Sequence, residues 1–405
     1  MRQEARFYYA YRKFATNTIT MAIILFDNNK RNNLQPFTAT KAIAALRFGI
    51  VTIAERWALK TKQQVFVHTE EYLQGLYPTI TEDDNIWVDA SIMLTDNLLD
   101  RILSLQIGDA LANDCGLIAG RSTNAWHTFN VNESLQWFKH IYDVTDVACI
   151  NYPQQLFHFN DRMIREDFEI LTAGKTSEPI SHSNQVINAQ AIFLEDNVTL
   201  EFCTINASTG PIYIAKDAVI MEGSMLRGPL VIGQNNLVKM GSKLYGATTF
   251  GPNCVVGGEI KNVVFQGCSN KAHDGYLGDS VIGEWCNLGA GTSNSNVKNT
   301  GGEVHVWNEG EQTFISGGQK CGVLMGDYSR TAINSSINTG AYIGVCCNVF
   351  GNGSLPKKIP NYTWGTLAEY NLEKVYTDIN NWKQMKQQSI TDAEVALLKH
   401  IFDQR

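Results

Sequence analysis

The sequence predicts two folds in tandem, an α/β domain and then a parallel β-helix, closed by a short helical tail. Three observations carry this reading. Large apolar residues recur every sixth position from Ile214, strand and helix patterns alternate between residues 21 and 170, and helical periodicity returns after Pro356 and Pro360.

The six-residue column runs Ile214, Ile220, Leu226, Ile232, Val238, Leu244, Phe250, Val256. After a two-residue slip it resumes at Val264, then Tyr276, Ile282 and Leu288, and Gly often follows the column residue. Helices repeat every 3.6 residues and strands every two, so neither alone has this period. A period of six means one short strand plus one turn, repeated. Three such edges close one coil, and coils stack at strand spacing, about 4.8 Å. No coil can bury its own apolar face, so stability comes from its neighbours. Each buried Ile, Leu or Val contributes about 1.5–3 kcal/mol. A β-sandwich with regular turns is the rival, but its strands would not hold one hexad phase through this column.

Taken in order, residues 1–20 are basic and aromatic without the apolar centre of a signal peptide. They are expected to be a disordered or non-native extension. The α/β domain is expected over 21–170. Met21–Phe26, Gln64–His68 and Asn85–Ala90 read as strands; Thr40–Leu59, Ser91–Ile107 and Gln154–Ile164 read as helices. Such alternation predicts a parallel sheet with helices on its faces, and ligands at the carboxyl ends of its strands. Asp27 to Asn33 and Asp89 lie there. Asp89 is a candidate Mg²⁺ ligand; a solvated or capping carboxylate is the alternative. Residues 171–190 are polar and turn-rich and read as a linker. The β-helix follows over 191–360, broken at Thr292–Gln312 and resumed at Ile337, Ile343 and Val349. The tail, 361–405, reads as helices over Leu367–Gln387 and Ala393–Phe402, with a capping box at Thr391-Asp-Ala-Glu394. These helices are expected to cover the open end of the solenoid or to dock on a neighbouring subunit.

Composition narrows the function. A net charge of −7 gives no general basic field for nucleic acid. No apolar run reaches membrane-spanning length. Nine scattered cysteines without a C-x-x-C fit reduced thiols in a cytoplasmic protein. A zinc-dependent solenoid enzyme would need about three His ligands, and the regular coils do not supply them.

His273 lies beside the slip in the column, where an interrupted ladder can re-aim a side chain. It is a candidate general base; a hydrogen-bonded turn residue is the plainer alternative. Lys243 and Lys261 are three sixes apart. If the register held, they would stack on adjacent coils. Two ammonium groups about 5 Å apart repel by about 3 kcal/mol at an effective dielectric near 20, a penalty that a bound phosphate removes. Arg227 competes as an anion ligand.

These residues also carry a resemblance. Glu259-Ile-Lys261, Lys271-Ala-His273, Tyr276-Leu-Gly-Asp279, Ile282-Gly, Asn287-Leu-Gly-Ala-Gly-Thr292 and Asn296 resemble the acetyltransferase half of the bifunctional N-acetylglucosamine-1-phosphate uridyltransferase / glucosamine-1-phosphate acetyltransferase family. The resemblance is specific over about 40 residues. It implies a left-handed parallel β-helix of hexapeptide repeats and a homotrimer with acetyl-CoA as co-substrate between subunits. It also implies that His273 deprotonates the sugar amine, that Lys243, Lys261 and Tyr276 bind the sugar phosphate, that Asn287 contacts the amino sugar, and that Ala290 contacts acetyl-CoA through its backbone. Asp274 stands where the family has an apolar residue.

In the N-terminal half, Leu34-Gln-Pro-Phe-Thr38 is similar to a motif of the sugar nucleotidyltransferases. This implies a Rossmann-like, nucleotidyltransferase-like domain. The family's glycine-rich phosphate loop is replaced by Asp27-Asn-Asn-Lys-Arg-Asn-Asn33, in which Lys30 and Arg31, with Lys41 further on, could meet phosphates. The expectation is an acyl-CoA-dependent N-acyltransferase acting on an amino-sugar phosphate or nucleotide amino sugar, fused to a divergent sugar-1-phosphate nucleotidyltransferase-like domain. The alternatives are nucleotidyl transfer alone with the β-helix as a trimerising scaffold, and a non-catalytic nucleotide-sugar-binding protein.

Overall fold

The computed structural model describes residues 21–405 apart from position 82. The expected N-terminal extension, 1–20, lies outside the described residues. Contacts divide the chain into two units. The first holds residues up to Leu34, Thr40–Leu46 and Thr52–Asn151; the second holds Gln35–Ala39, Arg47–Val51 and Tyr152–Arg405.

The first unit is built on a six-stranded sheet of β1 (Ala22–Phe26), β2 (Val65–His68), β3 (Asn85–Asp89), β4 (Asp109–Asn113), β5 (Gly116–Ser122) and β6 (His140–Asp143), in the order β2-β1-β3-β5-β4-β6. β1 is wholly buried, as its unbroken Ala-Ile-Ile-Leu-Phe run requires of a central strand. The expected all-parallel sheet is corrected to a mixed one. β1 runs parallel to β2 and β3, whereas β5 runs antiparallel to both β3 and β4.

Two expected helices are also shorter than their periodicity suggests. In place of Thr40–Leu59 there is one 3-10 turn, Ile43–Ala45, and then helix α1 over Ile53–Thr61. The Asp27 carboxylate takes the Ile43 amide at 2.8 Å, and Thr52 starts α1 afresh with a reciprocal capping box to Glu55. In place of Ser91–Ile107, helix α2 spans Asp96–Leu103 behind a Thr95 cap. The residues before it are drawn into extended pairing, with the Met93 amide on Ala148 and Ile92 bridged to Cys149.

The second unit is a parallel β-solenoid of three faces. The first face carries Gln185–Ile187, Thr204–Asn206, Met225–Arg227 and Lys243–Tyr245, then the start of the long strands Glu259–Gly267 and Tyr276–Glu284. Those two strands bend onto the second face, alongside Leu230–Ile232 and Thr248–Phe250. The third face is a ten-stranded ladder that includes Leu237–Val238, Val255–Val256, Asn270–Lys271, Asn287–Leu288 and Arg330–Thr331. Pairing begins at Gln185, inside the expected linker.

Residues 214 to 256 of the six-residue column are all buried, as read. Beyond Val256 the column is corrected. Ile260 pairs with Leu244, Phe265 with Phe250, Lys271 with Val256 and Leu277 with Ile260. Val264 and Tyr276 therefore point outward, each one position off the column. The reason is a change in coil length. Register partners step by 18 residues from Met225 to Lys243, by 16 to Glu259 and by 17 to Tyr276, so no fixed period follows the chain there.

The corner between the second and third faces is left-handed in every coil. It uses Asn197, Asp217, Asn235 and Asn253 early, at φ between 56° and 60°, because Asn and Asp tolerate that region. Later coils use Cys268, Trp285, Tyr328, Cys346 and Tyr362 there. The bulkier residues are those the tail covers. Helices α4 (Leu372–Gln384) and α5 (Asp392–Asp403) lie along this flank: Tyr362 Oη donates to the Leu398 carbonyl at 2.6 Å, Tyr328 Oη to Glu394 at 2.9 Å, and Lys386 to the Asn253 carbonyl. The expected placement over the open end is thus corrected to one along the side. On the outer side of the second face, helix α3 (Asn160–Thr172) and residues 47–51 form a small apolar cluster of Ile50, Ile164, Tyr213 and Val231. The break in the coils is an insertion whose end folds into a hairpin, His305–Asn308 against Thr313–Ser316.

Candidate functional site

The first face of the solenoid gathers several of the residues singled out by sequence. Alternation along a strand puts Lys243 and Tyr245 outward, and likewise Glu259 and Lys261. The register then pairs Lys243 with Glu259, Glu259 with Tyr276, and Tyr245 with Lys261. Lys243 and Lys261 are diagonal neighbours, so the expected stacking is corrected: the two missing residues of the shortened coil shift Lys261 one pair along. The outer ladder is knit by Tyr245 Oη, which donates to Glu259 Oε1 at 2.6 Å. That bond, made to a carboxylate, holds the Tyr245 hydroxyl up at about 12. Lys261 Nζ sits 5.9 Å from the Tyr245 ring centre, within cation–π range. Among the described residues, neither lysine is in a salt bridge. Arg227 is exposed at the end of the Met225–Arg227 strand on this same face.

His273 lies in the corner leading into this face. Its turn, residues 272–275, joins the third-face strand Asn270–Lys271 to Tyr276. His273 and Asp274 are exposed and line a concavity of about 370 Å³ with Lys239, Met240, Gly258 and Ala290. His273, the candidate base, and Ala290, the candidate backbone contact, therefore share one hollow. The turn closes tightly on the coil before it. A Cβ added to Gly258, at φ +75°, would stand 2.8 Å from the His273 carbonyl oxygen.

Tyr276 is half-buried, and its hydroxyl accepts from Asn296 Nδ2 at 3.1 Å. Burial raises its hydroxyl above the usual range. Asn296 also donates to Asp279, which takes Asn262 Nδ2 at 2.7 Å on its other oxygen. Asn287 is not brought to this group. It lies on the third face, in register between Asn270 and Arg330. Sequence reasoning missed Lys271, which occupies the apolar column at 1% exposure. Only the register identifies it, because the slip hides its place in the repeat.

In the first unit, Asp89 sits at the carboxyl end of β3, opposite Phe26 of β1 and close to Asp27. Both carboxylates are buried and hydrogen-bonded. The Asn28 amide donates to the two oxygens of Asp89 at 3.0 and 2.9 Å, and the Ser91 amide donates at 2.8 Å. Asp27 accepts from Arg31 Nε at 3.0 Å, Thr69 Oγ1 at 2.6 Å and the Ile43 amide. Burial raises both carboxyls, against the lowering pull of Arg31 on Asp27 and of Asn28 on Asp89. Both oxygens of each carboxylate meet protein donors, with Asp27 Oδ1 and Asp89 Oδ2 taking one each. Among the described residues, no group of three or more His, Cys, Asp or Glu is placed to hold a metal. No described helix is long and apolar enough to cross a membrane.

Residues 23–176 match the family model for sugar nucleotidyl transferase. The chain is 38% identical over 92 residues to a bifunctional sugar-1-phosphate nucleotidylyltransferase/acetyltransferase of Sulfurisphaera tokodaii, a stretch covering 23% of each chain. It is 29% identical over 106 residues to the bifunctional protein GlmU of Methanocaldococcus jannaschii, covering 26% of each. A third relative, bifunctional protein GlmU of Methanococcus aeolicus, is 34% identical over 86 residues, 21% of this chain and 20% of that one. The aligned stretches thus span about a quarter or less of each relative.

Proposed function

We propose that the solenoid transfers an acyl group, acetyl in the simplest case, from an acyl-CoA thioester to the amine of an amino-sugar phosphate or nucleotide amino sugar. One observation carries this reading: an exposed His273 on the wall of a hollow, one corner away from a face that holds Lys243, Lys261 and Tyr276. The similarity to a bifunctional sugar-1-phosphate nucleotidylyltransferase/acetyltransferase supports the reaction class.

The residues divide the work. The cations Lys243 and Lys261, with Arg227 on the same face, attract the acceptor's phosphate, and Tyr276 Oη offers a hydroxyl beside them. The acceptor amine then lies toward the His273 corner. As the amine attacks the thioester carbonyl, its nitrogen must lose a proton, and the His273 imidazole is the base that takes it. Collapse of the tetrahedral adduct breaks the carbon–sulfur bond, and the proton passes to the departing sulfur. The Ala290 backbone amide is suited to the oxyanion, whereas those of Gly289, Gly291 and Thr292 already donate to the Thr331, Asp274 and Gly289 carbonyls.

The same reading makes the protein a homotrimer. Phe202, Met240 and Ile333 stand 68%, 69% and 70% exposed along the corner that bears His273. An apolar ridge of this kind suits contact with another copy. A neighbour would then bring its third face, with Asn287, to the hollow. Incubation with acetyl-CoA and a panel of amino-sugar phosphates, followed by thiol release, tests the proposal; no release with any acceptor rejects it.

The match over residues 23–176 favours a second reading for the N-terminal half, sugar-1-phosphate nucleotidyl transfer with the solenoid as scaffold. It requires pyrophosphate release from a nucleoside triphosphate and a sugar 1-phosphate, lost in Asp89→Ala.

A further inference from the structure

We infer that Lys271 is the positioning residue of His273, a cationic tether inside the coil that fixes the turn on which the imidazole stands. The inference rests on the acyl-transfer reading for its catalytic meaning, but its geometry is independent of that reading.

Lys271 occupies the apolar column of the third face. Its partner in the coil before is Val256, and the matching residue in the coil after is Leu288. A lysine inside such a column needs acceptors, because an unpaired buried ammonium is costly. It has two: Nζ donates to the Gly257 carbonyl at 3.3 Å and to the His273 carbonyl. One side chain thus ties the shortened corner, 257–258, to the corner that carries the base.

Comparison with the other coils shows why a lysine is used. At four sister corners the last residue before the first-face strand bears a hydroxyl: Ser224, Ser242, Thr292 and Ser335. Each hydroxyl donates to a corner carbonyl. Ser224 reaches Met221 at 2.8 Å, Ser242 reaches Lys239, Thr292 reaches Ala332 at 3.1 Å, and Ser335 also reaches Ala332, at 2.8 Å. In the His273 corner that position is Gly275. No side chain fits there, since a Cβ on Gly275, at φ +122°, would come within 2.1 Å of the Thr292 carbonyl oxygen. The corner therefore lacks its hydroxyl donor, and the Lys271 ammonium supplies one from within. Burial lowers this lysine to about 8, with Asp274 opposing, which is consistent with an ammonium held by carbonyls rather than by a facing carboxylate.

The test uses the full-length protein and two variants, K271M and K271Q. K271M suits an apolar column, so its melting temperature should not fall. Amide exchange across 270–276 should rise about tenfold, while exchange in the coils below 256 stays unchanged. Thiol release should drop on the order of tenfold to a hundredfold in kcat with little change in KM for acyl-CoA, because a misplaced base misses the amine. K271Q, which keeps donors without charge, should recover part of both the exchange protection and the rate, and it decides the matter alone if K271M does not fold. Unchanged exchange in both variants overturns the tether. Faster exchange with an unaltered kcat overturns the positioning role. A wild-type protein that releases no thiol, with faster exchange in K271M, supports the tether and overturns the acyl-transfer reading.

Discussion

At the carboxyl ends of β1 and β3, Asp27 and Asp89 are buried, and their oxygens accept from Arg31, Thr69, Asn28, Ser91 and the Ile43 amide. On the first face of the solenoid, Lys243 and Arg227 stand exposed, and His273 opens onto a hollow. Both places carry residue types that can bind phosphate or move protons. They differ in whether the polar groups are already satisfied. Buried charges must be paired, and a completed network has little left to offer a ligand. Exposed cations held on rigid strands keep their binding capacity and lose little on meeting an anion. The polar groups on this chain's solenoid face are therefore open to a ligand, whereas those at its sheet must first leave a network.

The largest expected effect is at His273. His273→Ala should cut thiol release by about 10²–10⁴-fold, the usual worth of a general base, with an unchanged melting curve. Retained turnover would show that the hollow does not use this imidazole. At the sheet the expected damage is to stability. Asp27→Asn leaves Arg31 buried beside a neutral partner, a loss of about 3–5 kcal/mol, read as a lower denaturation midpoint. A variant as stable as the parent would mean that the network is not structural. Truncating Lys261 to Ala should raise KM for a phosphorylated acceptor about tenfold, the worth of one charge-assisted hydrogen bond. It should leave kcat and the KM for an unphosphorylated analogue in place; an equal effect on both acceptors would argue that Lys261 does not meet phosphate.

The smallest expected effect is in the pH dependence of stability. Lys271 is lowered to about 8 in the fold from 10.5. Below about pH 8 it is charged in both states and adds no slope. Between about 8 and 10.5 the unfolded chain holds the extra proton, so this group makes stability rise with pH. Buried thiols such as Cys254 and Cys286, pushed up from 9.0 to about 12, act in the opposite sense between about pH 9 and 12. The difference between the curves of the parent and K271M isolates the lysine. A difference that is flat between pH 8 and 10.5 would contradict the lowered value.

Much of the fold was legible in the residues. The column from Ile214 to Val256 declares its solenoid because each coil repeats the same length, so one periodic signal survives. The tail helices were legible from Thr391 and Glu394, whose reciprocal cap forms as read. Asp27 and the Thr52 cap were less legible as helix stops, because the first acts through a strand far away in sequence. Of the candidate site, His273, Lys243, Lys261 and Tyr276 could be named from sequence, but their mutual placement could not. A two-residue shortening shifts one strand against the next, and a shift in register changes which residues share a pair.

What the sequence determined by itself was the repeat and the residue types, since both follow from local period and composition. Only the tertiary structure decided that Lys271 lies within the core, that Glu259 rather than Lys261 faces Lys243, and that Asn287 belongs to another face. Those facts depend on how many residues each coil spends at its corners, and on which carbonyls that count leaves in need of a donor.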